Sequence, residues 1–134
     1  MALTVVDAGV VIAVLDAGDA HHVAARDALR EARDRGDELA LPASAYAECL
    51  VGPNRSGPGA VSAVDAFLDE LPVRVEPATR EVAAEAAALR AAHGRALRLP
   101  DALVLATARV AGADVVITTD AGWPEAGVHV VVIK

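Results

Sequence analysis

LPDALVLATARVAGADVVITTD, residues Leu99–Asp120, is the stretch on which the reading of the fold turns. Its first half opens with Pro100 and Asp101, where a missing N–H and a negative charge both suit a helix start, and continues through an almost wholly apolar interior to Gly112. Such a run predicts a helix buried on most sides. The second half, DVVITTD (Asp114–Asp120), is apolar and β-branched until it finishes in polar residues, which predicts a strand. A buried helix feeding an apolar strand is the repeating step of a parallel sheet covered on both faces.

The same step recurs on either side. LTVVD (Leu3–Asp7) reads as a strand ending in an acid, followed by AGVVIAVLDAGD, a short buried helix closed near Gly18. HHVAARDALREARDRG (His21–Gly36) predicts an amphipathic surface helix with Val23, Ala24, Ala28 and Ala32 on its apolar side. ELALP (Glu38–Pro42) predicts a strand, and ASAYAECLV a helix with Ser44 as its cap and Glu48 about one turn inside. GPNRSGPG (Gly52–Gly59) predicts a flexible loop. After it come a helix (AVSAVDAFLDEL), a strand at VRVEP (Val73–Pro77), a long helix ending at Gly94, and a last strand at VHVVVI (Val128–Ile133). The expectation is a single α/β domain over residues 1–134 with a mostly parallel sheet of about five strands. Its ligand site should lie beyond the carboxyl ends of the strands, where Asp7 and Asp120 fall.

Composition narrows the function. Hydrophobic residues make up 54% of the 134 residues but aromatics only 2%, so the core must be built from Ala, Val, Leu and Ile. A net charge of −7 and a pI near 4.9 exclude a protein that coats nucleic acid through a basic surface. They leave room for a nuclease, because acids that hold divalent cations add to the negative balance. Cys49 is the only cysteine, so no internal disulfide forms and no thiolate set for zinc exists. The start, MALTVVDAGVVIAVLD, has no basic leader, and Asp7 and Asp16 interrupt its apolar run well short of a membrane span. The expectation is a cytoplasmic protein with no membrane partner.

Four acids, Asp7, Glu48, Asp101 and Asp120, occupy the telling points of this pattern: a strand end, a helix interior, a helix start and a second strand end. Carboxylates so placed converge on folding, and they repel one another unless protons or a divalent cation relieve the repulsion. Metal-assisted phosphodiester hydrolysis follows as the leading reading. Each acid also has an ordinary one. Asp7 suits a solvated strand end, and Asp101 stabilises a helix start through the dipole by about 0.3–1 kcal/mol. Asp120 suits the turn before Gly122. Glu48, among Ala45, Ala47, Cys49 and Leu50, is either a costly buried carboxylate or simply exposed. His21 and His22 read as surface residues, His93 as a group opposing a helix dipole, and Cys49 as core. Arg95 and Arg98 suit substrate phosphates or solvent equally, and Trp123 caps the strand edge or stacks on a base.

Taken in order, VVDAG, YAEC, LPDALVLATA and VITTD resemble the PIN-domain family over essentially the whole chain. Length and element order are similar to the VapC-type toxins, the endoribonuclease halves of bacterial toxin–antitoxin pairs. The resemblance implies a three-layer α/β/α fold, an RNA substrate, a homodimer and a cognate VapB-like antitoxin. An all-oxygen donor set selects Mg²⁺ or Mn²⁺, two of which about 3.5–4 Å apart would serve an in-line displacement. On this reading Asp7 and Asp101 are direct ligands. Glu48 and Asp120 act through or orient metal waters, one of them as the base, and Thr118 hydrogen-bonds into the cluster. The chain departs from the family pattern at Gly9, where many relatives carry a small hydroxyl residue, and after Asp120, where Ala121, Gly122 and Trp123 replace a further acid. A phosphoacceptor receiver domain fits poorly, since Asp7 is single and the only late lysine is Lys134. A non-catalytic binding module on the same fold is the alternative, supported by Gly9 alone.

Overall fold

The computed structural model describes residues 2–134. Five strands, β1 (Leu3–Val6), β2 (Glu38–Pro42), β3 (Val73–Glu76), β4 (Val115–Thr118) and β5 (Val130–Val132), form one sheet in the order β3-β2-β1-β4-β5. All four pairings are parallel. The helices are α1 (Ala8–Leu15), α2 (His22–Asp34), α3 (Ala43–Ser56), α4 (Pro58–Glu70), α5 (Arg80–His93) and α6 (Leu99–Ala111), with a 3₁₀ turn at Gly94–Ala96. The result is the three-layer α/β/α arrangement, all parallel where a mostly parallel sheet was expected.

The inner strands are the most deeply buried. Val5 and Val6 of β1 are fully buried, as are Ala40 and Leu41 of β2 and Val116 of β4. The edge strand β3 is marked instead by Arg74, which pairs with Glu38 at 2.9 Å and Glu76 at 3.0 Å and so discourages further strand addition. Helix α6 joins two cores. Val104 and Ala108 pack into the larger one, with α1 to α4 and the sheet, while Ala102, Leu105 and Ala106 meet Val82, Ala86 and Leu89 of α5. Burial on both sides is why its sequence shows no polar face.

Four local expectations change. Helix α3 begins at Ala43 after Pro42, which makes no side-chain cap, so Ser44 does not cap it. Gly52–Gly59 is not a loop: α3 runs to Ser56, α4 starts at Pro58, and Gly57 alone joins them. The buried stripe of α2 is Ala25, Leu29 and Ala32, while Val23 is 56% exposed. His22 is half-buried, its Nδ1 lying 2.8 Å from the Ala13 carbonyl oxygen and tying the start of α2 to α1. Among the described residues no helix is long and apolar enough to cross a membrane.

Candidate metal centre

From β1 the chain steps outward to β2 and β3, then returns to the other side of β1 for β4 and β5. The order therefore reverses between β1 and β4, and in open parallel sheets that switch point is where ligand crevices form, beyond the carboxyl ends of the strands. Asp7 follows β1 directly, and its N–H still donates to the Ile117 carbonyl at 3.0 Å, which fixes it against β4. Asp120 lies just past the end of β4. Helices α3 and α6 carry Glu48 and Asp101.

Asp7 is the N-cap of α1. Its Oδ1 accepts from the Ala8 N–H at 2.8 Å, and its Oδ2 accepts from the Thr118 hydroxyl at 2.7 Å. That hydroxyl, on a fully buried side chain, in turn accepts from the Asp120 N–H at 3.1 Å. Thr118 thus ties the two strand-end acids together. Asp120 Oδ1 accepts from the Gly122 N–H at 2.8 Å, so this acid also shapes the turn after β4. Asp101, with a side chain only 16% exposed, has the Arg98 guanidinium 3.8 Å away on a side chain that is itself 78% exposed. Glu48 is exposed, so its apolar sequence neighbours do not bury it.

The four carboxyls feel one another. Burial, and then the charge of Asp120, push Asp7 above the ordinary carboxylate value against the opposing hydrogen bonds from Thr118 and Ala8. Although Glu48 is exposed, partial desolvation of its carboxyl raises it, with Asp7 and Asp101 adding and Arg98 opposing. Burial raises Asp101 too, with Asp7 and Asp120 adding, while Arg98 and the Trp123 indole hold it down. The fold thus brings these acids within reach of one another's charge. Arg98 opposes the rise at Glu48 and Asp101 only, and its exposure to water weakens its field.

This imbalance defines what fits. No histidine or thiolate contributes to the cluster: Cys49 is buried in the core beneath it, its thiol pushed up to about 12 by burial. Among the described residues no three His, Cys, Asp or Glu side chains form a group that could hold a metal ion. Oxygen donors alone suit a cation that keeps several waters and binds through one or two carboxylates together with substrate phosphate oxygens, as Mg²⁺ does. A hard divalent cation held by Asp7 and Asp101, with Glu48 and Asp120 alongside, matches the donor chemistry.

Two neighbours of the cluster were not legible as such. The indole N–H of Trp123 is buried and without a hydrogen-bond partner of full geometry, yet it is near enough to Asp101 to favour its charged form. Trp123 packs against both cores rather than standing free to stack. Thr119 lies over Gly9, where a Cβ would stand 2.6 Å from the Thr119 Oγ1. The TTD doublet was the only sequence signal for it, and only the approach of β4 to α1 gives that signal meaning.

The sequence matches the PIN domain family over residues 4–128. No curated protein matches the chain in sequence. Among solved structures the chain is similar to VapC20 of Mycobacterium tuberculosis, described as a sarcin-ricin loop cleaving toxin. That similarity is 27% identity over 84% of this chain and 86% of the other, with a TM-score of 0.68. It also superposes on VapBC2 of Rickettsia felis at TM-score 0.76, with 12% identity over 98% and 99% of the two chains. With FitAcB of Neisseria gonorrhoeae the TM-score is 0.67, with 24% identity over 95% of each chain.

Proposed function

Because the chain belongs to the PIN-domain family, we propose that it is the toxin of a toxin–antitoxin pair, a metal-dependent endoribonuclease that works in the cytoplasm as a homodimer. The observation that carries this reading is the gathering of Asp7, Glu48, Asp101 and Asp120 at the switch point of the sheet. Three of their carboxyls are held above the ordinary range by burial and mutual repulsion. The cleavage of the sarcin-ricin loop by a related toxin supports RNA as the substrate. The toxin–antitoxin complexes among the structural neighbours support a cognate VapB-like antitoxin as partner.

Asp7 and Asp101 would hold Mg²⁺ or Mn²⁺, which when bound supplies a Lewis acid for the phosphate and for the attacking water. The protein's own contribution is to present these oxygens in fixed geometry. Asp7 is oriented from two sides, by the Ala8 N–H and the Thr118 hydroxyl, so neither oxygen swings away when phosphate approaches. Glu48, exposed and with a raised affinity for its proton, would take a proton from water. Arg98, exposed beside Asp101, is placed to meet a phosphate from the solvent side. A hydroxyl, that of Thr119, stands over Gly9 and supports the catalytic reading over a non-catalytic module.

The test is cleavage of a total cellular RNA pool by the purified, antitoxin-free protein with Mg²⁺, with Mn²⁺ and with chelator, beside Asp7→Asn. Discrete fragments that need the metal and Asp7 are the expected result. Intact RNA under every condition, from a folded protein that binds the metal, would favour the non-catalytic module instead.

A further inference from the structure

Gly9 is the second residue of α1, in a helical stretch where alanine would ordinarily be preferred. What excludes a side chain there is one atom: a Cβ on residue 9 would stand 2.6 Å from the Thr119 hydroxyl oxygen, while the next nearest atom, Thr119 Cβ, lies at an ordinary 3.8 Å. The glycine thus makes room for a hydroxyl and for nothing else. Among the described residues that hydroxyl has no hydrogen-bond partner, although Thr119 is half-buried and stands between Thr118, bonded to Asp7, and Asp120. A half-buried hydroxyl without a protein partner, against the helix turn that Asp7 caps, is a donor available to whatever the acids bind.

We propose that Thr119 is a positioning residue of the cation site, its hydroxyl housed in the space that Gly9 leaves open and donating to the oxygen ligands that Asp7 and Asp120 gather. This rests on the divalent-cation reading given above. Three consecutive residues then divide the labour: Thr118 fixes the Asp7 carboxylate, Thr119 serves the bound ligands, and Asp120 adds charge. Gly9 is the counterpart of Thr119, so changing either residue has the same consequence for the site.

The experiment is a calorimetric titration of Mn²⁺ into the metal-free protein and its variants, with metal-free melting temperatures recorded alongside. Thr119→Val removes the hydroxyl at nearly constant shape, and Thr119→Ser keeps it. Gly9→Ala forces the hydroxyl to turn away while suiting the helix. Thr119→Val and Gly9→Ala should each weaken Mn²⁺ binding by roughly 10–100-fold, as for other groups that support metal ligands. Their metal-free melting temperatures should hold, and Thr119→Ser should bind like the parent. Parent-like binding by Thr119→Val, or failure of Thr119→Ser to retain binding, would overturn the assignment while leaving the cation reading intact. A parent protein that does not bind Mn²⁺ would overturn both. Loss of RNA cleavage alone bears on the nuclease reading, because the titration judges Thr119 without any RNA.

Discussion

Asp7 does three jobs at once, and substitutions can separate them. It caps α1 through the Ala8 N–H, receives the Thr118 hydroxyl, and brings a negative charge into a crowded, half-dry cluster. Asparagine keeps an oxygen for the Ala8 cap but sets its amide N–H₂ against the Thr118 hydroxyl, which must turn to accept from it, so Asp7→Asn removes the charge and reverses one hydrogen bond. The metal-free variant should therefore melt no lower than the parent while its metal-dependent cleavage is lost, since repulsion within the cluster is relieved. Asp7→Ala should instead lose about 0.5–2 kcal/mol in urea unfolding, because the cap disappears and the buried Thr118 hydroxyl loses its acceptor. Strong destabilisation of Asp7→Asn would mean that the charge itself is structural. At this scale the positions of Asp7, Asp101 and Asp120 were legible in the sequence because each ends or begins an element whose periodicity locates it, and that of Glu48 because it falls inside a readable helix. The Trp123 approach to Asp101 and the Thr119 fit over Gly9 were not, since each joins residues that only the tertiary packing brings together.

The elements were legible wherever periodicity and punctuation agree, and misread where they conflict. Gly52–Gly59 contains two prolines and three glycines, the strongest local signals of a break, yet α3 and α4 run through it. Packing outweighs propensity here: Cys49 of α3 and Val64 and Leu68 of α4 are buried in the same core, and the Tyr46 hydroxyl donates to Asp65 Oδ1 at 2.6 Å across the helix pair. Asn54 Nδ2 also donates to the Leu50 carbonyl at 2.7 Å beside Pro53, whose missing N–H weakens that turn. The whole reversal falls on Gly57, at φ 118° and ψ 176°, a conformation essentially confined to glycine. Gly57→Ala should consequently lose about 1–3 kcal/mol in urea unfolding with no change in metal affinity, because the strain is local to the helix pair. An unaffected unfolding midpoint would show that this corner relaxes freely, closer to the flexible loop that the prolines and glycines suggest. The rotated stripe of α2 has a simpler origin: alanines stand on several faces, and Leu29 rather than Val23 decides which of them turns inward.

Across the whole molecule, alternation of strands and helices made a parallel sheet legible, whereas the strand order depended on which distant segments pair. That order matters most for function, because placing β4 rather than β2 on the far side of β1 creates the switch point at which Asp7 meets Asp120. The cluster draws on β1, α3, α6 and β4, in a chain whose net charge is already −7. A cation bound there would link separate elements only in the folded state, and so would shift the folding equilibrium by mass action. At a Mg²⁺ concentration about 100 times the dissociation constant, stabilisation is about 2.7 kcal/mol, equivalent to a rise of about 10 °C in melting temperature for a domain of this size. Scanning calorimetry with Mg²⁺, with chelator, and with KCl at matched ionic strength separates binding from screening. General screening would relieve the repulsion only partly and would follow ionic strength whichever salt supplies it, whereas binding should raise the melting temperature of the parent with Mg²⁺ beyond matched KCl and fail to do so in Asp101→Asn. Equal shifts with KCl and Mg²⁺ would reduce the cluster to a patch of like charges; a shift specific to Mg²⁺ and dependent on Asp101 would make the same repulsion the source of its affinity for the metal.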